Sequence, residues 1–419
     1  MRYSSKTVQL WIVIILAFSL AAGCRSSLGG QNSTATGTTP ISTRTAILAS
    51  AAATDPAPTS TPAPIPTATI TPTPVPPLEN SVVEVPAPSL DNNLLGDSTV
   101  QPVRVLLPPS YASGTKRYPV LYLLPGFGGS AIADEYFPPQ IIARMMIEGQ
   151  VKEMILVVIN GENRLGGSFY VNSPVTGNWE DFVTRDVIRY IDEHYRTITE
   201  PEGRGITGHS MGGTGAFHLA MRHPEIYSAT YAMSPGLFDE KGLADSHMFT
   251  PQNRIKAFLK ARDALKDLSV EQAIKKMVKD EGSLGFTFAY GAAYVPNPQI
   301  GPPFFDYPYK MNNGSLEVDP VIWQRWEAGF GELSKKIKQY KTNLQKLNGI
   351  VIDYGRQDAF AWIPRGSDYL SQQLDAAGIP HELLSFEGTH NNLIEERILE
   401  HVLPFFTQQL ADPELISNN

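Results

Sequence analysis

The chain has 419 residues, 34 Lys and Arg against 42 Asp and Glu, and a formal net charge of −8. With no basic run in the sequence, that balance argues against a polyanionic partner such as nucleic acid and leaves the acidity as solvated surface. The single cysteine excludes a disulfide within the chain, and a hydrophobic fraction of 42% suits one large domain, or one domain with an insertion.

At the N-terminus, Arg2 and Lys6 precede a nearly unbroken apolar run over residues 10–20. It is too short to span a bilayer and reads as the core of an export signal. Leu20-Ala21-Ala22-Gly23-Cys24 resembles a bacterial lipobox with Ala21 where Leu is typical. Residues 1–23 are therefore expected to be a lipoprotein signal peptide and Cys24 the lipidation site; the alternative is plain secretion after cleavage near Ala22 or Gly23. The expected location is outside the cytoplasm, lipid-anchored to the bacterial cell membrane. Residues 24–80 are rich in Thr, Pro, Ala and Ser. Such composition cannot bury enough apolar surface to offset the entropy of ordering, so a disordered tether is expected, with a reach on the order of 150 Å.

Residues 81–412 alternate apolar runs with helical patterns. Strands are expected at 103–107, 120–124, 155–159, 205–207, 229–233, 350–354 and 382–386, and helices at 179–195, 211–222 and 365–377. Runs apolar on both faces suit a covered parallel sheet, which gives an α/β fold. The strands at 103–107 and 120–124 are expected to form an antiparallel edge pair. Between 237 and 347 no strand-like run recurs and the pattern turns helical, with a capping box at Ser269-Val270-Glu271-Gln272 and an N-cap followed by proline at Asp319-Pro320. Residues 286–309 hold Phe286, Phe288, Tyr290, Tyr294, Phe304, Phe305, Tyr307 and Tyr309. Read as an aromatic loop, this segment must bury against something, and a cap over an active site is the expectation.

Gly208-His209-Ser210-Met211-Gly212-Gly213 carries the chemistry. A Gly-x-Ser-x-Gly pattern alone recurs by chance in roughly one chain of this length in seven. Here it joins a short buried strand to a small-residue helix, the context of a strained turn that presents a serine nucleophile. Gly208 and Gly212 remove side chains that would collide across that turn. Serine needs a base, and the base needs an orienting group. His390, in the loop after the last strand, and Asp358, in the turn after 350–354, both fall at the carboxyl edge of the sheet, where catalytic groups of such sheets gather. His209 is expected to point away from the serine, Asp353 to stay inside its strand, and Asp368 to lie on the next helix. The order Ser210, Asp358, His390 is that of the α/β hydrolases. Leu123-Leu124-Pro125-Gly126-Phe127-Gly128-Gly129 leaves a strand into a glycine-rich loop. The backbone N–H groups of Phe127 and Met211 are the candidate oxyanion donors.

From about residue 100 to the C-terminus these motifs, together with Gly177-Asn178-Trp179-Glu180-Asp181-Phe182 and Phe386-Glu387-Gly388-Thr389-His390, resemble the putative esterase family of α/β hydrolases. That family includes S-formylglutathione hydrolases, feruloyl and acetylxylan esterases, enterochelin esterases and mycolyltransferases. The resemblance implies Ser210 as nucleophile, His390 as base, Asp358 as acid and the Phe127 and Met211 amides as the oxyanion hole. It departs at Pro125, where many members carry His, so the loop must be braced differently. It departs again in the length of the insertion. Gly126, Tyr170, Asn172 and Trp179 are candidate substrate contacts; no metal or cofactor is expected. The expected function is a cell-envelope serine esterase acting on a small-molecule or glycan ester. An acyltransferase using the same residues and a catalytically inactive tethered binding protein are the alternatives.

Overall fold

The protein is described from a computed structural model, over residues 75–131, 136–279 and 284–415. The expected signal peptide, the Cys24 lipidation site and most of the tether lie outside the described residues.

Eight strands form one sheet in the order β1-β2-β4-β3-β5-β6-β7-β8. They are β1 (Glu79–Pro86), β2 (Val100–Leu107), β3 (Val120–Leu124), β4 (Ile155–Ile159), β5 (Arg204–His209), β6 (Ala229–Met233), β7 (Gly349–Gly355) and β8 (Glu382–Phe386). The β1–β2 and β2–β4 pairs are antiparallel; every pair from β4 to β8 is parallel. This is the α/β-hydrolase arrangement that the resemblance implies.

Strands β3 and β4 are apolar throughout because both faces are covered. Along β3, Leu121 and Leu123 face α1 (Pro139–Ile147) and the C-terminal helix of residues 394–409, while Val120, Tyr122 and Leu124 face the opposite core. That opposite face is covered by a helix of residues 179–194, α2, which includes a π-helical turn at Phe182–Val187, and by α3 (Met211–Arg222).

Several expectations require correction. The boundary drawn for the tether is too late: Leu78 is buried, its N–H bonded to the Pro139 carbonyl at 3.3 Å, and Glu79 and Asn80 already pair in β1. β1 escapes a sequence reading because, as an edge strand, most of its side chains are exposed. Strand β2 does not pair with β3; it pairs with β1 and β4. Finally, the segment between β6 and β7 does contain strands, a hairpin of Tyr309–Asn312 with Ser315–Val318. Its residues are mostly exposed, so hydrophobic patterning gives no signal there.

The described residues of that segment also include the helices α4 (Asn253–Asp263), α5 (Val270–Lys279), α6 (Gly285–Tyr294), α7 (Pro320–Phe330) and α8 (Leu333–Leu344). The capping box forms as the sequence indicates, with Gln272 N–H to Ser269 Oγ at 3.3 Å and Ser269 N–H to Gln272 Oε1 at 3.1 Å. Asp319 caps α7 through the N–H groups of Val321 and Ile322. The first part of the aromatic stretch, through Tyr294, is the helix α6, where a loop was expected, and the remainder through Phe304, Phe305 and Tyr307 is irregular. The segment's own core centres on buried Trp326, ringed by Phe249, Tyr290, Phe305 and Tyr307. Helix α8 packs instead on the outer layer, its Leu333, Ile337 and Leu344 sharing a cluster with Phe217 and Met221 of α3.

Candidate active site

Ser210 sits between β5 and α3 with φ 57° and ψ −116°, a conformation that costs on the order of 1–3 kcal/mol for a residue with a side chain. The turn is held by its own backbone. Ser210 N–H donates to the Met233 carbonyl at 2.9 Å, and the Ser210 carbonyl accepts from Thr214 at 3.1 Å and Gly236 at 3.3 Å. The glycines are required by close approach: a Cβ on Gly208 would strike the Gly212 carbonyl, and one on Gly212 would strike the Leu124 carbonyl.

Three side chains from separate loops meet here. His390 Nε2 lies 2.9 Å from Ser210 Oγ, and His390 Nδ1 lies 2.7 Å from Asp358 Oδ2. The carboxylate can only accept from Nδ1–H, which leaves the Nε2 lone pair facing the serine hydroxyl. Asp358 is fixed in turn by the Phe360 N–H, which donates to Oδ1 at 2.8 Å. Asp358 and His390 are both buried, so their interaction is weakly screened. This arrangement can lower the cost of removing the serine proton.

His209 does point away from the serine, and its target is informative. Its Nε2–H donates to the His390 carbonyl at 2.8 Å, with the two rings 4.8 Å apart. Burial, then the neighbouring His390 and Arg397, push its pKa well below the usual histidine value. A neutral His209 therefore anchors the loop carrying His390. Asp353 stays within β7 as expected, and there its carboxylate is paired with buried Arg397: Oδ2 accepts from Arg397 Nε at 3.0 Å and from Tyr231 Oη at 3.1 Å, and Oδ1 accepts from Arg397 Nη2. Oδ1 also accepts from Ser234 N–H at 3.2 Å, and Arg397 Nη2 donates to Ser234 Oγ at 3.3 Å. Ser234 begins the segment whose Gly236 N–H holds the Ser210 carbonyl, so this buried pair supports the turn from beneath. Asp368 bonds Tyr354 Oη at 2.7 Å, on α9 (Trp362–Ala377). Nothing in the sequence marked His209 or Arg397 for these roles, because both act through partners far away in the chain.

The glycine-rich loop runs beside the serine. A Cβ on Gly126 would lie 3.4 Å from Ser210 Cβ, so Gly126 is placed next to the reacting atoms. Among the described residues, neither the Phe127 nor the Met211 N–H donates to a backbone carbonyl. The bracing that Pro125 cannot supply from a side chain comes from two tyrosines. Tyr170 Oη donates to the Pro125 carbonyl at 2.8 Å, and Gly126 N–H donates to Tyr136 Oη at 3.3 Å. The loop is closed by Gly128 N–H to the Gly166 carbonyl at 2.8 Å.

Three candidate substrate contacts are corrected. Tyr170 is buried against Gly215 and Gly161, bracing the oxyanion loop. Trp179 is fully buried, its Nε1–H on the Thr176 carbonyl at 2.7 Å and its ring edge-on to Phe182. Asn172 is exposed but committed at both ends of its amide to Asp181. Aromatic rings from the insertion reach the site where these do not. Phe286 of α6 packs on Phe127 at 5.1 Å, and His247 on Phe286 at 4.9 Å. Among the described residues no group of three or more His, Cys, Asp or Glu side chains is placed to hold a metal ion.

Residues 99–393 match the family described as "Putative esterase". An esterase of Mycobacterium tuberculosis is 32% identical over 126 residues, 29% of this chain and 26% of that protein. An endo-1,4-beta-xylanase/feruloyl esterase of Xylanibacter ruminicola is 26% identical over 155 residues, 35% of this chain and 21% of that protein. The chain thus spans about a quarter of the length of these curated relatives. Among solved structures, a ferulic acid esterase superposes with a TM-score of 0.51 at 20% identity, covering 80% of this chain and all of that one, which is a likeness of fold. With the family matched over most of its length and the strand order of an α/β hydrolase, this chain belongs to the putative esterase family.

Proposed function

We propose that the protein is a serine esterase of the cell envelope that hydrolyses small carboxylic esters. The observation that carries this reading is the hydrogen-bonded series Ser210, His390, Asp358 on a positive-φ turn. In the proposed reaction Ser210 Oγ attacks the ester carbonyl carbon while its proton passes to His390 Nε2. The amides of Phe127 and Met211 receive the negative charge on the carbonyl oxygen, and Asp358 stabilises the imidazolium. His390 then returns the proton to the departing alkoxide as the carbon–oxygen bond breaks, leaving an acyl-Ser210 ester. Water, deprotonated by His390, releases the acid and restores the serine.

The two relatives from Mycobacterium tuberculosis and Xylanibacter ruminicola carry the name esterase, which supports ester chemistry for this chain. Acyl transfer to an alcohol in place of water is the second reading. It is favoured by the aromatic rings of Phe127, Phe286 and Phe360 near the site, since an apolar surround discourages water. For location, the sequence of residues 1–24 supports export and lipid attachment at Cys24. Replacing Cys24 by Ala should release the protein from membranes to the medium; retention with the membrane fraction would contradict the anchor. For the chemistry, a fluorophosphonate probe should label the wild type on the peptide containing Ser210 and leave Ser210→Ala unlabelled. Labelling elsewhere, or none in the wild type, would overturn the nucleophile.

A further inference from the structure

The insertion holds a cavity of about 400 Å³ that the proposed reaction does not use. Ile300, Pro302, Pro303 and Ile322 give it apolar walls, with the buried rings of Phe305 and Tyr307 behind them. Those two rings each pack on Trp326 at 5.7 Å, Trp326 stacks on Tyr290 at 5.5 Å, and Tyr290 meets Phe169, whose ring packs on Phe127. Several layers of rings therefore separate the cavity from the oxyanion loop. Its wall is preformed. In the loop of residues 297–306, Asn297 N–H donates to the Phe304 carbonyl at 2.7 Å and Phe304 N–H to the Gly301 carbonyl at 3.1 Å. Ile300 lines the cavity yet is 41% exposed, so an apolar side chain is held at the opening.

The cavity is also positive. Arg262 and Lys266 both line it, and they share one carboxylate oxygen, Asp263 Oδ1, at 3.3 and 2.9 Å. The acidic residue in the lining, Asp306, is already engaged at both oxygens: Oδ2 accepts from Arg325 Nη1 at 2.7 Å and Oδ1 from Asn297 Nδ2 at 2.8 Å. Three cations thus stand against two carboxylates. The neighbouring helices lean the same way, with eight Lys or Arg against three Asp or Glu over residues 253–279, in a chain of net charge −8. Lys266 and Asp263 are 62% and 53% exposed. An ion pair so open to water contributes little and yields to a competing anion at small cost.

We propose that this cavity is a binding site for an amphipathic anion, whose anionic head sits on Arg262 and Lys266 and whose alkyl chain lies against Ile300, Pro303 and Ile322. A preformed apolar cavity of this size with a few convergent charged groups is the usual build of a small-molecule site. Either part of the ligand alone binds weakly, since an exposed cation gains little from an anion and a short chain gains only the area it buries. Joined on one molecule, the second contact forms intramolecularly. A phospholipid head group and a fatty carboxylate share this chemistry. The site goes beyond the esterase reading and does not depend on it.

The test is calorimetry on full-length Ser210→Ala with each ligand below its micelle concentration. Octyl phosphate and octanoate carry both parts, octyl glucoside the chain without charge, and inorganic phosphate the charge without chain. The better alkyl anion should bind at least about tenfold more tightly than either control; octyl phosphate ahead marks a phospholipid head group, octanoate ahead a fatty acid. Adding Arg262→Gln and Lys266→Gln together should cut that advantage below about twofold, and Ile300→Ser should weaken the alkyl anions without changing phosphate. Lys266→Gln alone, at an exposed position, should move affinity in the same direction and covers the case in which the double variant does not fold. No advantage over the controls, or one that survives the double substitution, would overturn the site. Fluorophosphonate labelling of Ser210 should be unchanged by Arg262→Gln with Lys266→Gln, so failure of the esterase reading and failure of this one are scored apart.

Discussion

The carboxyl edge of the sheet and the insertion between β6 and β7 are built by different rules. At the edge, geometry is enforced by backbone proximity: Gly208 and Gly212 are needed because neighbouring carbonyls leave no room for a side chain. Ser210, His390 and Asp358 follow from where the strands end. In the insertion, position is set by large side chains packing on one another, with Trp326 and Tyr290 at the centre and Phe330 joining the cluster to Phe238 and Trp362. Backbone constraints leave a readable trace in a sequence, whereas packing among aromatics can be met by many sequences. The edge therefore carries motifs, and in the insertion only the helix caps at Ser269 and Asp319 do.

Substitutions can break each region by its own rule. The largest effect is expected for Gly212→Ala, whose added methyl meets the Leu124 carbonyl; this variant should give no soluble protein or no probe labelling at Ser210. Wild-type labelling would mean the turn is looser than its contacts indicate. In the insertion, Trp326→Ala removes a fully buried ring and its Nε1–H bond to the Asp306 carbonyl at 2.8 Å. Denaturant unfolding should show a loss of about 3–5 kcal/mol; less than about 1 kcal/mol would place the core of the insertion elsewhere.

Smaller effects test the joints between loops. His209→Asn removes the bond to the His390 carbonyl without touching the serine, so kcat should fall about ten- to a hundredfold with little change in KM. A rise in KM with unchanged kcat would show that His209 acts on substrate binding instead. The smallest effect concerns pH. His218, on α3, is buried with Nε2 unpartnered, and burial, then Lys336 and Arg222, hold its pKa well below the usual value. Below about pH 6.5 the unfolded chain takes a proton there that the folded chain refuses, so this residue costs stability as pH falls. His218→Leu should therefore gain melting temperature relative to wild type between pH 7 and pH 5. A constant difference across that range would contradict the linkage.

The same contrast explains what the sequence could disclose. Strands β3 and β4 are legible to the residue because burial on both faces makes them continuous apolar runs; the mainly apolar β6 and β8 also keep their expected bounds, although β8 is partly exposed. The edge strand β1 and the exposed hairpin are hidden because solvent-facing side chains carry no such pattern. That Ser210, Asp358 and His390 meet was legible from strand ends and chain order. The partners of His209 and Arg397 were not, since they lie far off in sequence and emerge only when the chain is folded. Tyr170 and Trp179 misled for a related reason: large amphipathic residues near a motif brace a loop as readily as they hold a substrate.

The reaction proposed above requires Ser210, positioned by His390 and Asp358, to be the nucleophile in ester cleavage. Steady-state hydrolysis of 4-nitrophenyl acetate by wild type and Ser210→Ala tests it most directly. A fall in kcat of at least about 10⁴-fold is expected in the variant, with folding unchanged by circular dichroism. Activity in Ser210→Ala within tenfold of wild type would contradict it.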